Sequence, residues 1–282
     1  MSLNRREFLH VMSMAAAAGM LPGTASAMSG GADKAAIAKA SDEIYNQPMK
    51  GKVRLLHITD THAQLKPIYF REPNVNLGTG PAFGKLPHVV GTKLLKEIGV
   101  EENTPLAHAF SYLNFQDASM QYGKVGGFAH VKTLLDKLRE QAGGQNNTLT
   151  MDGGDLWHGS GTALFTRGMD MVEASNLLGV DIMTGHWEFT YKAEEVLKNL
   201  NAFKGEFLAQ NVRIKEDSLF GDEYREMVDR NQGTGLYDED EARAFKPYTV
   251  KIVNGERIAV VGQAFPRTAN ANPQSNFPYW SF

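Results

Sequence analysis

A chain of 282 residues is long enough for one large α/β domain or for two small ones. Its hydrophobic content of 42% and charged content of 22% are ordinary for a globular protein, and a net charge of -3 gives no electrostatic reason to expect nucleic acid or an anionic membrane as a partner. The absence of cysteine excludes disulfides, thiolate metal ligands and cysteine nucleophiles within this chain. Any metal must therefore be held by carboxylate, imidazole, amide or water.

The first 27 residues have the pattern of an export signal. Arg5 and Arg6 precede an apolar stretch from Val11 to Leu21, and Ala25-Ser26-Ala27 supplies a small-x-small cleavage site. The pattern resembles a bacterial twin-arginine signal, whereas a membrane anchor needs about 20 apolar residues. The sequence therefore predicts export to the periplasm, cleavage after residue 27 and a polar lead-in over residues 28–50.

Strand and helix patterns alternate from residue 51 onwards, which predicts an α/β layered fold. Apolar runs and helical periodicity predict strands at 53–59, 148–151, 180–183 and 207–209, and helices at about 88–98, 128–138, 168–178 and 192–201. Asn254-Gly255 between two alternating runs predicts a β-hairpin. The Pro- and Gly-rich region 63–124 is expected to be a substrate-side insertion, and the charged stretch 215–243 a surface excursion.

Polar residues follow four of the predicted strands. They are Asp60 and His62, then Asp155, His186 and Asn211. Side chains two positions apart in an extended chain point the same way, and open α/β sheets bind ligands at the carboxyl ends of their strands. Carboxylate, imidazole and amide groups suit Mn, Fe or Zn, and a carboxylate between two such clusters is suited to bridge two metals. The pattern therefore predicts a transition-metal site.

Several neighbouring residues also have structural explanations. His57 lies within the first strand and is interpreted as a core histidine, and Asp152 as the support of a turn. The sequence leaves two roles open for His158. It could support the metal ligands from behind, or it could face the substrate. Trp157 and Trp187 are interpreted mainly as core aromatics.

The order of these motifs resembles that of the calcineurin-like metallophosphoesterases, and within them the 5′-nucleotidase branch. The strings that carry the resemblance are Asp60-Thr61-His62, Gly154-Asp155 and Gly185-His186-Trp187-Glu188. The resemblance implies a layered β-sandwich flanked by helices, formed by a catalytic domain at residues 51–282. It further implies that Asp60 and His62 hold one metal, that Asp155 bridges two, and that His186 takes the place of an asparagine ligand.

The third string departs from the nucleotidase pattern at two positions. Trp187 stands where the catalytic histidine belongs, and Thr190 stands where its partner aspartate belongs.

The string from Gly185 to Thr190 and the string Gly-Gln-Ala-Phe-Pro at 262–266 are similar to those of the SoxB-type thiosulfohydrolases. That resemblance implies a pair of Mn²⁺ ions (Zn²⁺ and Fe²⁺ being the other candidates) and release of sulfate from a cysteine-bound thiosulfonate on the SoxYZ carrier protein. A persulfide-like leaving group needs little acid assistance, which would account for Trp187.

Two other functions remain open, a periplasmic 5′-nucleotidase or phosphomonoesterase and a non-catalytic exported protein that binds a metal or a carrier. The superfamily's remaining histidine ligands have no counterpart here, since no histidine follows His186. The sequence stops in an apolar stretch at residues 278–282. We therefore expect an N-terminal piece of a longer protein, lacking the C-terminal part of the fold, that by itself binds manganese weakly and is inactive.

Overall fold

The computed structural model describes residues 45–69, 78–102, 104–111, 120 and 123–282. The predicted export signal and the lead-in up to residue 44 lie outside the described residues. Two compact units are distinguished, one made of residues 45–67 and 126–282 and the other within residues 68–125. Among the described residues, no helix is both long and apolar enough to cross a bilayer.

The secondary structure follows the predicted alternation. The strands are β1 (Arg54–Ile58), β2 (Ile68–Tyr69), β3 (Lys124–Val125), β4 (Thr148–Asp152), β5 (Ile182–Met183), β6 (Glu206–Phe207), β7 (Arg213–Ile214), β8 (Tyr248–Val253), β9 (Glu256–Val261) and β10 (Trp280–Ser281). The α-helices are α1 (Gly91–Glu97), α2 (Pro105–Phe110), α3 (Phe128–Gln141), α4 (Gly161–Thr166), α5 (Met169–Leu178), α6 (Ala193–Ala202), α7 (Glu216–Leu219), α8 (Asp222–Arg230) and α9 (Thr268–Ala271). Short 3₁₀ turns lie at Gly80–Ala82, Gln145–Asn147, Trp187–Tyr191 and Gln274–Asn276.

The larger unit is built on a parallel sheet with the strand order β1-β4-β5-β6. In its register, Ile58 lies opposite Asp152, and Asp152 lies opposite Met183. Because all four strands run the same way, the loops that follow them leave from the same edge of the sheet. This edge is where the sequence places its candidate ligands.

Helices cover one face of this sheet. The stripe predicted for α3 is confirmed, since Phe128 and Leu135 are buried and Val131 and Leu138 pack against the same core. This core also receives α5, through Met171, Val172 and Leu178. The predicted α/β class, with a parallel sheet and flanking helices, is therefore confirmed.

The hairpin predicted at Asn254-Gly255 is confirmed as β8 and β9, which pair antiparallel. Both turn residues have positive φ, 48° at Asn254 and 76° at Gly255, as a two-residue hairpin turn requires. Val253 packs with Leu149 and Ile182 of the parallel sheet. The hairpin therefore supplies a second β layer on the face opposite the helices.

The expectation of a surface excursion at 215–243 is wrong. This stretch forms α7 and α8, and Tyr224, Met227 and Val228 of α8 are buried in a second core cluster. Tyr224 also accepts a 3.0 Å hydrogen bond from the indole N–H of Trp280. The i, i+3, i+4 spacing of these three side chains is helical, but it is brief and the charged residues between them obscure it.

The described residues between 68 and 125 belong to the smaller unit. The helix predicted at 88–98 is confirmed as α1, whereas α2 and the antiparallel pair of β2 and β3 were not predicted. The expectation that this insertion serves the substrate remains a prediction.

Candidate metal centre

Asp155 is the centre of the candidate site. Its side chain is buried, with 3% exposed, and its Oδ2 lies 3.4 Å from Nε2 of His62 and 3.5 Å from Nδ1 of His186. Asp60, His62 and Asp155 each offer a ligand atom within 4.8 Å of the others. The structure thus brings the four proposed ligands to one place at the carboxyl edge of the sheet.

Backbone hydrogen bonds extend the pairing of β1 and β4 into the loops that carry the ligands. Gly153 N donates to Ile58 O at 2.9 Å, Asp60 N to Gly154 O at 3.0 Å, and His62 N to Asp155 O at 2.9 Å. Asp60, His62 and Asp155 have φ of 50°, 51° and 55°, in the left-handed region that non-glycine residues seldom occupy. Such conformations persist where surrounding contacts hold them, and they cluster at functional sites.

Two glycines let these loops approach one another closely. A Cβ on Gly159, whose φ is 128°, would lie 2.7 Å from the carbonyl oxygen of His62. A Cβ on Gly154 would lie 2.8 Å from Cβ of His186. Neither position accommodates a side chain without moving a candidate ligand.

Glu188 holds the β4 and β5 loops together, a role that the sequence did not reveal. Its side chain is fully buried. Its two oxygens accept hydrogen bonds from four backbone N–H groups, those of His186 at 2.7 Å, Asp155 at 3.2 Å, Leu156 at 2.8 Å and Trp157 at 3.2 Å. The sequence signal for this role is the position of Glu188, a charged residue between two aromatic residues, Trp187 and Phe189.

The electrostatics of the site favour a bound cation. Burial, followed by the charge of Glu188, raises the pKa of Asp155, and the imidazoles of His62, His186 and His158 oppose that rise. Oδ1 of Asp155 and Nδ1 of His186 are buried without a hydrogen-bond partner among the described residues. A metal centre around Asp155 would satisfy these atoms, and the mix of carboxylate and imidazole suits a transition metal. The residues present therefore fit a metal centre.

Asp152 supports the turn, as interpreted from sequence. Its Oδ1 accepts a 2.7 Å hydrogen bond from the N–H of Gly154. Burial, opposed by this hydrogen bond and reinforced by the charges of Glu188, Asp60 and Asp155, raises the pKa of Asp152 to about 8.

The interpretation of His57 as a core histidine is wrong. His57 is exposed rather than in the core, as is Leu55 (52% exposed), which lies two positions earlier on the same face of β1. The side-chain amide of Asn211, the fifth polar residue of the pattern, is engaged by backbone groups. It accepts from Ala264 N at 2.9 Å and donates to Ala264 O at 3.0 Å, so it links two backbone segments.

Aromatic rings form one wall beside the cluster. His158 stacks on Trp187 with ring centroids 6.3 Å apart, and Phe265 lies 6.4 Å from Trp187 and 4.7 Å from His186. Trp157 is fully buried in the core, as interpreted from the sequence. Trp187 is only partly buried and contributes to the wall.

The parallel sheet with flanking helices, with a carboxylate–imidazole cluster at its carboxyl edge, resembles the fold and site of the metallophosphoesterase class. The comparisons with known proteins agree with this class. The structure is similar to that of the sulfate thiohydrolase SoxB of Thermus thermophilus, with 34% sequence identity and a TM-score of 0.56, over 84% of this chain and 40% of that one.

Other similarities are more distant. A 5′-nucleotidase precursor, also from Thermus thermophilus, matches with 19% identity and a TM-score of 0.48 over 82% of this chain and 31% of that one. The rat 5′-nucleotidase is 27% identical over 158 residues, which are 55% of this chain and 24% of that protein. No family model matches the chain. The chain spans less than half the length of each of these three relatives.

Proposed function

We propose that the protein is a thiosulfohydrolase that releases sulfate from a cysteine-bound thiosulfonate carried by the SoxYZ protein. The observation that carries the proposal is Trp187, which stands where a nucleotidase has its catalytic histidine and lies in the wall beside Asp155 and His186. The 34% identity to the Thermus SoxB supports the same assignment. We further propose that the protein uses two Mn²⁺ ions and works in the periplasm after twin-arginine export.

The chain's own residues would hold the metal centre and shape the cavity. Asp60, His62 and His186 would bind the ions around Asp155, whose two oxygens suit it to bridge them. Glu188 holds Asp155 and His186 in place through hydrogen bonds to their backbone N–H groups. When bound, a pair of divalent ions supplies an activated water and stabilises charge on the sulfonate oxygens.

Under this proposal, the leaving group accounts for the presence of Trp187 in place of the catalytic histidine. A phosphate ester leaves as a strongly basic alkoxide, and a general acid typically contributes about 10² to 10⁴ in rate to such a step. A persulfide-like sulfur is a far weaker base and needs little of that help. Thr190, at the place of the partner aspartate, instead donates a 2.9 Å hydrogen bond to Oδ1 of Asn272. No histidine–aspartate pair therefore occupies these two positions.

A second candidate function is hydrolysis of a nucleoside monophosphate. The similarity to the rat 5′-nucleotidase favours it, since that match spans 158 residues. A third is a non-catalytic exported protein that binds a metal or a carrier.

One paired assay distinguishes the three candidates. The full-length protein with manganese is supplied with thiosulfonate-loaded SoxYZ or with AMP, and sulfate or phosphate is measured. We expect sulfate release that Asp155→Asn abolishes. Phosphate release from AMP without sulfate release would establish the nucleotidase instead, and turnover of neither substrate would leave the non-catalytic protein.

A further inference from the structure

A third imidazole faces Asp155 from the loop that follows β4. Nδ1 of His158 lies 3.8 Å from Oδ1 of Asp155, whereas His62 and His186 both face Oδ2. The two oxygens of this one carboxylate are therefore divided between different imidazoles. The resemblance to known families assigned no role at position 158.

The contact between His158 and Asp155 is not a hydrogen bond. A separation of 3.8 Å exceeds hydrogen-bond range, and Oδ1 of Asp155 is buried without a hydrogen-bond partner among the described residues. Two ligand atoms that each lie about 2.1 Å from one metal ion are about 3 to 4 Å apart. The observed separation lies within the range that two ligands of the same ion would have.

The imidazole of His158 is held in this orientation. Its side chain is 28% exposed, and its ring stacks on Trp187 with an interplanar angle of 24°. On another side, the ring centroid of Tyr191 lies 5.4 Å away, and the hydroxyl of Tyr191 donates to Trp157 O at 2.8 Å. A ring packed between two aromatic side chains loses little further freedom when it binds an ion.

We propose that His158 is an additional ligand of the metal centre, binding on the Oδ1 side of Asp155. Asp155 would then share one ion with His158 through Oδ1, while its Oδ2 faces His62 and His186. This inference rests on the metal site of the proposed function, but it adds a nitrogen ligand that the carried-over set of Asp60, His62, Asp155 and His186 lacks.

Titration with Co²⁺ alone tests the proposal without any substrate. His158→Phe keeps an aromatic ring between Trp187 and Tyr191 but removes the nitrogen ligand. We expect it to weaken Co²⁺ binding about tenfold or more and to change the visible absorption spectrum of the bound ion. His130→Phe, at an exposed histidine on α3, is the matched control and should leave both unchanged. Circular dichroism confirms that each variant is folded.

A third variant separates failure of this inference from failure of the proposed function. If Asp155→Asn weakens Co²⁺ binding while His158→Phe leaves the affinity and the spectrum as in the parent protein, His158 is not a ligand and the metal site stands. If Asp155→Asn leaves binding unchanged, the metal site itself is wrong, and the proposed function and this inference both fall.

Discussion

The backbone N–H of His62 donates a 2.9 Å hydrogen bond to the carbonyl oxygen of Asp155. Through this bond the ladder between β1 and β4 continues past the last residues of both strands. It brings Nε2 of His62 to 3.4 Å from Oδ2 of Asp155, although 93 positions separate the two residues in the sequence.

Asp155→Asn should remove metal binding without destabilising the metal-free protein. Burial raises the pKa of Asp155, so the ionised carboxylate costs stability at every pH above the ordinary range of an aspartate. In EDTA, we expect the variant to melt at the same temperature as the parent or higher. Added Mn²⁺ should raise the melting temperature of the parent only. A large fall in the metal-free melting temperature would contradict this account.

Glu188→Gln should destabilise the fold by about 3 kcal/mol, because an amide NH₂ would replace one of two oxygens that accept backbone N–H groups in a buried site. Urea unfolding measures the change. Glu226→Gln is the control, since Glu226 is 72% exposed and its ion pair with Arg230 spans 3.9 Å. Equal stabilities of the two variants would show that Glu188 does not hold the loops together.

Gly159→Ala should displace the His62 loop. The new Cβ would lie 2.7 Å from His62 O at a φ of 128°, so we expect a loss of about 2 kcal/mol and weaker binding of Co²⁺. Gly161→Ala is a close control, because its Cβ would meet nothing within 4 Å and Gly161 begins α4. Thermal melts and Co²⁺ titrations of both variants check this, and a Gly159→Ala protein that binds Co²⁺ normally would count against it.

The free energy of unfolding should depend on pH because of Glu206. Burial acts to raise its pKa, but hydrogen bonds from Lys246 and Lys251 outweigh burial and lower the pKa to about 2. Because the folded pKa lies below the unfolded value of about 4.3, the contribution of Glu206 is complete above that pH and is lost as the pH falls towards 2. Glu206→Gln should therefore cost about 1 kcal/mol at pH 6, after allowance for solvent screening, and almost nothing near pH 2.

Urea unfolding of the parent and of Glu206→Gln over this pH range measures the difference. Glu256→Gln removes an exposed ion pair with Lys52 and should cost little at any pH. A difference between Glu206→Gln and the parent that stays constant from pH 6 to pH 2.5 would exclude the proposed linkage.

Trp187→His tests why the nucleotidase histidine is missing. If the leaving group needs no acid, restoring an imidazole beside His186 should leave sulfate release from thiosulfonate-loaded SoxYZ nearly unchanged. The rate of sulfate release by the full-length protein with manganese is the measurement. A rise of about a hundredfold or more, the size of a typical general-acid contribution, would refute the explanation.

Local patterns were enough to predict much of this molecule. The apolar runs that became β1, β4 and β5, the stripe of α3 and the Asn254-Gly255 turn are all encoded within a few neighbouring residues. Because parallel strands end at a common edge, the sequence also predicted that Asp60, His62, Asp155 and His186 would meet.

Only the tertiary structure decided which side chains are buried and which partners they have, because both depend on segments that are distant in the sequence. Glu188 reaches the backbone of a loop more than thirty residues earlier in the chain, and Asn211 pairs with Ala264, so neither role leaves a local pattern. His57 has the spacing of a core residue, yet its side chain is exposed. His158 faces Asp155 because Trp187 and Tyr191 hold its ring from a different loop. Periodicity within a strand or helix is a property of adjacent residues, whereas burial and pairing depend on segments that meet only after folding.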